Sequence, residues 1–373
     1  MSLDLERALG ALNPEQHAAA VASGHTLVTA CPGSGKTKML SVKAAHLLRD
    51  PTSKVCLVTF TKDAADELRD RTLQLLHGGD AATRTRLLSG TFHSICFRML
   101  RKLRSIDLKA ILNPGEAIDY AARVIAETGV DAEPNDVLAA VERHRANAPS
   151  LTAAQDKRLA NAYVGLMRRN GKVDFTELVT ETIKALDEGN LTPLAMTHLL
   201  VDEFQDTDQL QMRWIRHHSR AGARVTVVGD DDQSIFSWRF ALGYPGMMQF
   251  ATEHRAEQIV LGTNYRCLAE ILAAGERLIV NNSARIPKVL QAARGSGTTV
   301  RAMAFPRKST EAAAVAGALS DFTTGTYSAA ILARTNRALM EVTEALKIAG
   351  IPFVAPPGAD ALVPSVTRQV SLK

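Results

Sequence analysis

Apolar and polar positions alternate with two periods along the early part of the chain. Thr26–Ala30 (TLVTA) and Lys54–Phe60 (KVCLVTF) are short, nearly unbroken runs of β-branched and aliphatic residues. Such runs suit strands buried on both faces. Helical spacing follows each of them, over Met39–Leu48 and from about Asp63 to Leu76. His198–Val201, Arg224–Val228 and Gln258–Leu261 are further strand candidates, and the first two end directly in acidic residues. Strand and helix in alternation predict a parallel α/β sheet. Side chains just past the carboxyl ends of its strands stand where such sheets bind ligands. Between about Ser105 and Thr197 the pattern turns helical, alanine-rich and polar, which predicts a helical insertion. The alternation restarts near Leu268 with a helix to Asn281. A strand near Thr299–Ala304, a helix near Thr310–Ser320, a strand near Ser328–Ala333 and a helix near Arg337–Gly350 are expected after it.

Composition narrows the class. The chain has 373 residues, 46% apolar and 22% charged, as a soluble globular protein does. That length suits about two to three domains. No apolar run reaches the roughly 18 residues of a membrane helix. The start, MSLDLERALGALNPEQ, lacks the layout of a signal peptide. Cys31, Cys56, Cys96 and Cys267 form no CxxC pair, which argues against a zinc knuckle or a disulfide framework and fits the cytoplasm. Lysine plus arginine exceeds acid by 44 − 39 = 5, a balance that permits a nucleic-acid partner without requiring one. The charge is uneven. Arg84, Arg86, Arg98, Arg101, Lys102 and Arg104 share an acid-free tract, and Arg285 to Lys308 forms a second. With Phe92, His93 and Phe97 interleaved, the first tract suits a phosphate backbone with bases stacked nearby. A solvated helix face accounts for such runs as well.

Candidate chemistry begins at Ala30-Cys-Pro32-Gly33-Ser34-Gly35-Lys36-Thr37, a relaxed phosphate-binding loop between a predicted strand and a predicted helix. Glycines let backbone N–H groups turn toward phosphate oxygens, and the helix N-terminus adds partial positive charge. Lys36 is expected on the β- and γ-phosphates and Thr37 on Mg²⁺. Leu199-Leu200-Val201-Asp202-Glu203 supplies acids at the end of another strand. Asp202 is expected in the metal shell. Glu203 is expected near the metal as well, orienting and deprotonating the attacking water.

These segments belong to a longer ordered set. Asp202-Glu203-Phe204-Gln205-Asp206 and Val228-Gly-Asp-Asp-Asp-Gln233-Ser234-Ile-Phe236-Ser-Trp238-Arg239 resemble motifs of the UvrD/Rep-type superfamily 1 DNA helicases. So do Leu12-Asn-Pro-Glu-Gln16, Thr59-Phe60-Thr61, Gly90-Thr91-Phe92-His93-Ser94, Asp174-Phe175 and Asn264-Tyr265-Arg266. The resemblance runs from about Leu12 to about Phe353. It implies a P-loop RecA-like parallel sheet with a helical insertion and an incomplete second RecA-like domain. The implied organisation is a first motor domain in two parts, 1–104 and 198–267, the insertion at 105–197, and a partial second motor domain at 268–373. Implied cofactors are ATP and Mg²⁺, and implied partners are single-stranded DNA and duplex junctions.

The resemblance also assigns residues. Gln16 would read the adenine edge, and Tyr265 would stack on its face. Arg266 would act as an arginine finger, and Gln233 would sense the γ-phosphate, with Arg239 assisting. Phe60, Phe236 and Trp238 would stack DNA bases, while Thr91, His93 and Arg98 would contact the backbone. Sequence pattern alone also allows Phe60 as strand core. Lys62-Asp63, Lys38, Phe236 and Phe240 depart from the family's usual residues; Lys38 stands where an arginine often packs near the base. The family's later motifs are not found after Asn336. The expected function is therefore an ATP-dependent helicase or translocase moving 3′ to 5′. A non-unwinding ATP- and DNA-binding module, truncated or completed by a separate C-terminal helicase half, is the alternative, and the motor part of a helicase–nuclease is another.

Overall fold

The computed structural model describes residues 3–104, 110–145, 150–237, 240–320 and 329–354. Six strands form one parallel sheet: β1 (Thr26–Ala30), β2 (Val55–Thr59), β3 (Leu87–Thr91), β4 (His198–Val201), β5 (Arg224–Gly229) and β6 (Glu257–Leu261). Their order is β3-β2-β4-β5-β1-β6, and every pairing is parallel. The period of two along each strand divides the core in two. Leu27, Cys56, Val58, Leu199, Val201, Val225 and Val227 face one way. There they pack with helices Phe92–Arg104, Phe175–Asp187, Gln209–Arg220 and Gly243–His254. Val28, Ala30, Val55, Leu57, Leu200, Val228 and Leu261 face the other way, onto helices Leu3–Gly10, Lys36–Leu48 and Lys62–Gln74. A strand covered on both faces must be apolar on both, which is why these runs do not alternate.

The insertion has its own core. Tyr120, Val124, Val137, Val141, Tyr163, Leu166 and Met167 bring together helices Pro114–Thr128, Pro134–Arg145 and Ala153–Arg169. Asn113 starts the first of these with a capping box to Glu116 and Pro114 at the first turn. Helix Phe175–Asp187 was expected within the insertion. It instead gives Leu178, Val179, Ile183 and Leu186 to the main core, because its apolar stripe matches the face of the sheet.

Compact units divide at Thr299/Val300. Helix Ala269–Ile279 and a small parallel pair, β7 (Thr263–Asn264) and β8 (Gln291–Ala292), therefore belong with the large sheet's unit. The described part of the second unit holds helices Lys308–Ser320 and Asn336–Ile348. The strand expected near Thr299–Ala304 is irregular, and so is the described part of the one expected near Ser328–Ala333, Ser328 itself lying outside the described residues. An apolar run becomes a strand only where a neighbour satisfies its backbone groups. No described helix is long and apolar enough to cross a membrane.

Candidate functional site

Four strand ends converge on one edge of the sheet. The loop after β1 turns through Gly33 and Gly35 with φ of +66° and +77°, a region that glycine enters without strain. A side chain at Gly33 would also meet Arg266 Cβ at 2.5 Å, so the loop needs glycine there twice over. Lys36 and Thr37 open the following helix. Ser34 is buried, and its Oγ has no hydrogen-bond partner. Polar atoms are seldom left so, and this one lies within a loop shaped to receive anions.

Opposite the loop, Asp202 and Glu203 follow β4. Glu203 sits in the left-handed region at φ +50°, which aims its side chain back at the loop. Lys36 Nζ lies 2.9 Å from Glu203 Oε2. Gln205 Nε2 donates to the same Glu203 oxygen at 2.9 Å. Burial raises Glu203, but the Lys36 charge and these hydrogen bonds outweigh it and leave the carboxyl below its ordinary value. Asp202 is only 6% exposed. Burial and then the Glu203 charge push it up to about 6, against a smaller pull from Lys36. Asp206 is pushed up to about 6 by the same two causes, and its Oδ1 is buried without a partner. Three carboxylates thus face one ammonium. Of the three, only Asp202 is buried, and Glu203 and Asp206 are partly open to solvent.

A third group of residues locks the loop from the side of β7. Asn264 is fully buried. Its Nδ2 donates to Pro32 O at 2.6 Å, and its Oδ1 accepts the N–H groups of Arg266 and Cys267. Tyr265 N–H donates to Gly33 O at 2.9 Å. Tyr265 and Arg266 are thereby fixed against the phosphate loop, with both side chains exposed. Gln16 is buried with its amide committed on both sides. Its Nε2 donates to Ser34 O at 2.7 Å, and its Oε1 accepts the Asn13 N–H in a capping box. Asn13 Nδ2 in turn donates to the Tyr265 hydroxyl at 3.1 Å. Lys38 Nζ donates at 3.0 Å to Ala11 O, just after helix Leu3–Gly10.

The turn after β5 carries Asp230, Asp231, Asp232 and Gln233. Among the described residues this is the cluster whose carboxylate oxygens approach closely enough to share an ion. Its charge is met from within the chain. Lys288 Nζ reaches Asp230 at 2.9 Å, Asp231 at 2.6 Å and Asp232 at 2.8 Å, and its side chain is fully enclosed. Arg285 forks onto both oxygens of Asp232. Lys288 and Arg285 were expected in a basic tract open to solvent or phosphate, and that expectation fails for both. Part of the other tract is structural as well. Arg86 donates to the carbonyls of Leu48, Asp50 and Ser53, and Arg84 to that of Gly78.

Among the described residues expected at DNA, Phe60, Thr91 and Phe236 end or follow strands on the same edge. Phe60 directly follows β2 and is 39% exposed, so it is not strand core. Thr91 ends β3 and caps the next helix, its Oγ1 accepting the Ser94 N–H. His93 packs edge-on to the exposed Phe175 ring at 5.7 Å, and burial lowers its pKa. Phe236 follows β5 and is half-buried. Trp238 and Arg239 lie outside the described residues. Sequence reasoning overlooked Asn13, Asn264, Gln205 and Lys288. The first three stood inside quoted motifs, and their polarity at buried motif positions was the available signal.

A family model described as an AAA domain matches residues 15–239, and one described as a UvrD-like helicase C-terminal domain matches 259–356. DNA helicase II of Haemophilus influenzae is 30% identical over 94% of this chain and 52% of its own length. DNA helicase II of Escherichia coli K12 is 30% identical over the same shares, 94% and 52%. ATP-dependent DNA helicase PcrA of Bacillus subtilis 168 is 28% identical over 92% of this chain and 50% of its own length. The chain spans about half the length of these curated relatives.

Proposed function

Because the chain belongs to the UvrD/Rep-type family of DNA helicases, we propose that it is the ATP-hydrolysing motor portion of a DNA helicase or translocase. The observation that carries this reading is the Lys36–Glu203 pair at 2.9 Å, set between a glycine-turned loop and a carboxylate-rich strand end. Lys36 and the loop N–H groups bind the β- and γ-phosphates, and the partnerless Ser34 Oγ faces the same ligand. Lys36 then exchanges a carboxylate for phosphate oxygens, which releases Glu203 to orient water and accept its proton. Thr37 and Asp202 would hold Mg²⁺, which would neutralise phosphate charge there. Tyr265 covers the adenine, and Gln16 reads its edge with the amide N–H and lone pair left over from its bonds to Ser34 and Asn13. Lys38 supports the base from the neighbouring helix.

Arg266 reaches the terminal phosphate from the β7 turn, and Gln233 reports its presence to the DNA side. Phe60, Phe236 and Trp238 stack successive bases, while Thr91 and His93 steer the backbone. The partners are single-stranded DNA and duplex junctions, with movement 3′ to 5′. A cytoplasmic setting belongs to the same proposal. Steady-state ATP hydrolysis with and without single-stranded DNA tests it. Turnover should rise at least about tenfold with DNA, as expected when the strand completes a site that positions catalytic groups. ATP turnover indifferent to DNA would sink the reading.

A further inference from the structure

Gln233 stands in the turn after β5, and its Nε2 donates to the Asp230 carboxylate. The other oxygen of that carboxylate accepts from Lys288 Nζ at 2.9 Å. Asp230 is also gripped through its backbone, its N–H donating to Gln205 Oε1 at 2.9 Å. Gln205 in turn holds Glu203 at 2.9 Å. One residue, Asp230, therefore joins Glu203, Gln233 and Lys288. Lys288 lies on the segment before β8, brought close by Arg285 on Asp232 and by the Ile286 N–H on Asp231 at 2.6 Å. A fully enclosed ammonium among three carboxylates adds little net stability for its desolvation. What it does supply is direction, since each carboxylate is fixed by a charge-assisted bond.

We propose that Lys288 is a positioning residue for ATP turnover: through Asp230 it sets the direction of the Gln233 side chain and links it to Glu203. The proposal rests on the functional reading above, in which Gln233 senses the terminal phosphate. It predicts that Lys288 acts on the rate rather than on nucleotide affinity, and only by way of Gln233.

The test is a double-mutant cycle in the full chain, with kcat and KM for ATP measured in the presence of single-stranded DNA and folding followed by circular dichroism. Lys288→Gln should lower kcat roughly tenfold and leave KM within about twofold, within the range of direct couplings. Gln233→Ala should lower kcat too, and the double variant should be no slower than Gln233→Ala alone. Losses that multiply in the double variant would overturn the proposal, as would a change confined to KM. If Lys288→Gln does not fold, Arg285→Gln at the partly exposed end of the cluster replaces it. A smaller fall in kcat, again absent on the Gln233→Ala background, supports the proposal, and a multiplying one defeats it. A wild-type chain without DNA-stimulated turnover would instead overturn the functional reading.

Discussion

Asp202 shows how a single residue can be costly to the fold and useful to the site. In the unfolded chain its carboxyl ionises near the ordinary 3.8, whereas in the folded chain it does so near 6. Between those values the folded form holds a proton that the unfolded form has lost. Stability therefore falls as pH rises through this window, and the cost persists above it. Asp202→Asn should raise the unfolding free energy at pH 8 by about 1–3 kcal/mol, with no gain near pH 4, while abolishing magnesium-dependent turnover. Urea unfolding at the two pH values checks this. An equal gain at both would mean that the charge is not the cause. The sequence placed this residue correctly at a strand end. Its raised pKa was not legible, because that depends on its own burial and then on the charge of Glu203 beside it. Lys288 was illegible for a related reason. In the sequence it stands among other basic residues, and its partners Asp230, Asp231 and Asp232 lie more than fifty positions earlier.

At the scale of elements, the site depends on joints between segments distant in the chain. The β7 turn is joined to the phosphate loop chiefly by Asn264, with Tyr265 N–H adding one bond. Asn264→Ala leaves one carbonyl and two N–H groups, all in part-buried bonds, without this partner. It should cost about 2–3 kcal/mol of stability. It should also weaken nucleotide binding, because Tyr265 and Arg266 lose their fixed approach. Thermal unfolding with nucleotide titration decides it, and unchanged affinity would show that the turn is held by other means. The strands β1, β2, β4 and β5 were readable because burial on both faces forces apolar runs, and β6, exposed at Glu257 and Gln258, was readable from its apolar end Ile259–Leu261. β3 was not, since Leu87–Thr91 reads LLSGT and its three polar or small positions end the apolar run after two residues. It lies at the sheet edge, where pairing with β2 suffices. Helix Phe175–Asp187 shows a converse limit. Its amphipathic period is plain in the sequence, but the period does not say which of two cores receives it.

At the scale of the whole molecule, the modest net charge of +5 averages unlike regions. The acids gather at the ends of β4 and β5, and several of the basic residues that seemed available to DNA are spent inside the chain. The described motif residues nevertheless gather at the carboxyl ends of the large sheet's strands and at the β7 turn, although they are scattered from Asn13 to Arg266 in sequence. Parallel topology does this, since every strand delivers its carboxyl end to the same side. The central claim is that this edge hydrolyses ATP through Glu203 opposite Lys36, in step with DNA. The most direct measurement is DNA-stimulated ATP turnover in Glu203→Gln beside wild type, with nucleotide affinity measured on the same samples. Nucleotide affinity should stay within a few-fold while turnover falls by about 10²–10⁴, as loss of a general base requires. Turnover equal to wild type in Glu203→Gln would contradict the account.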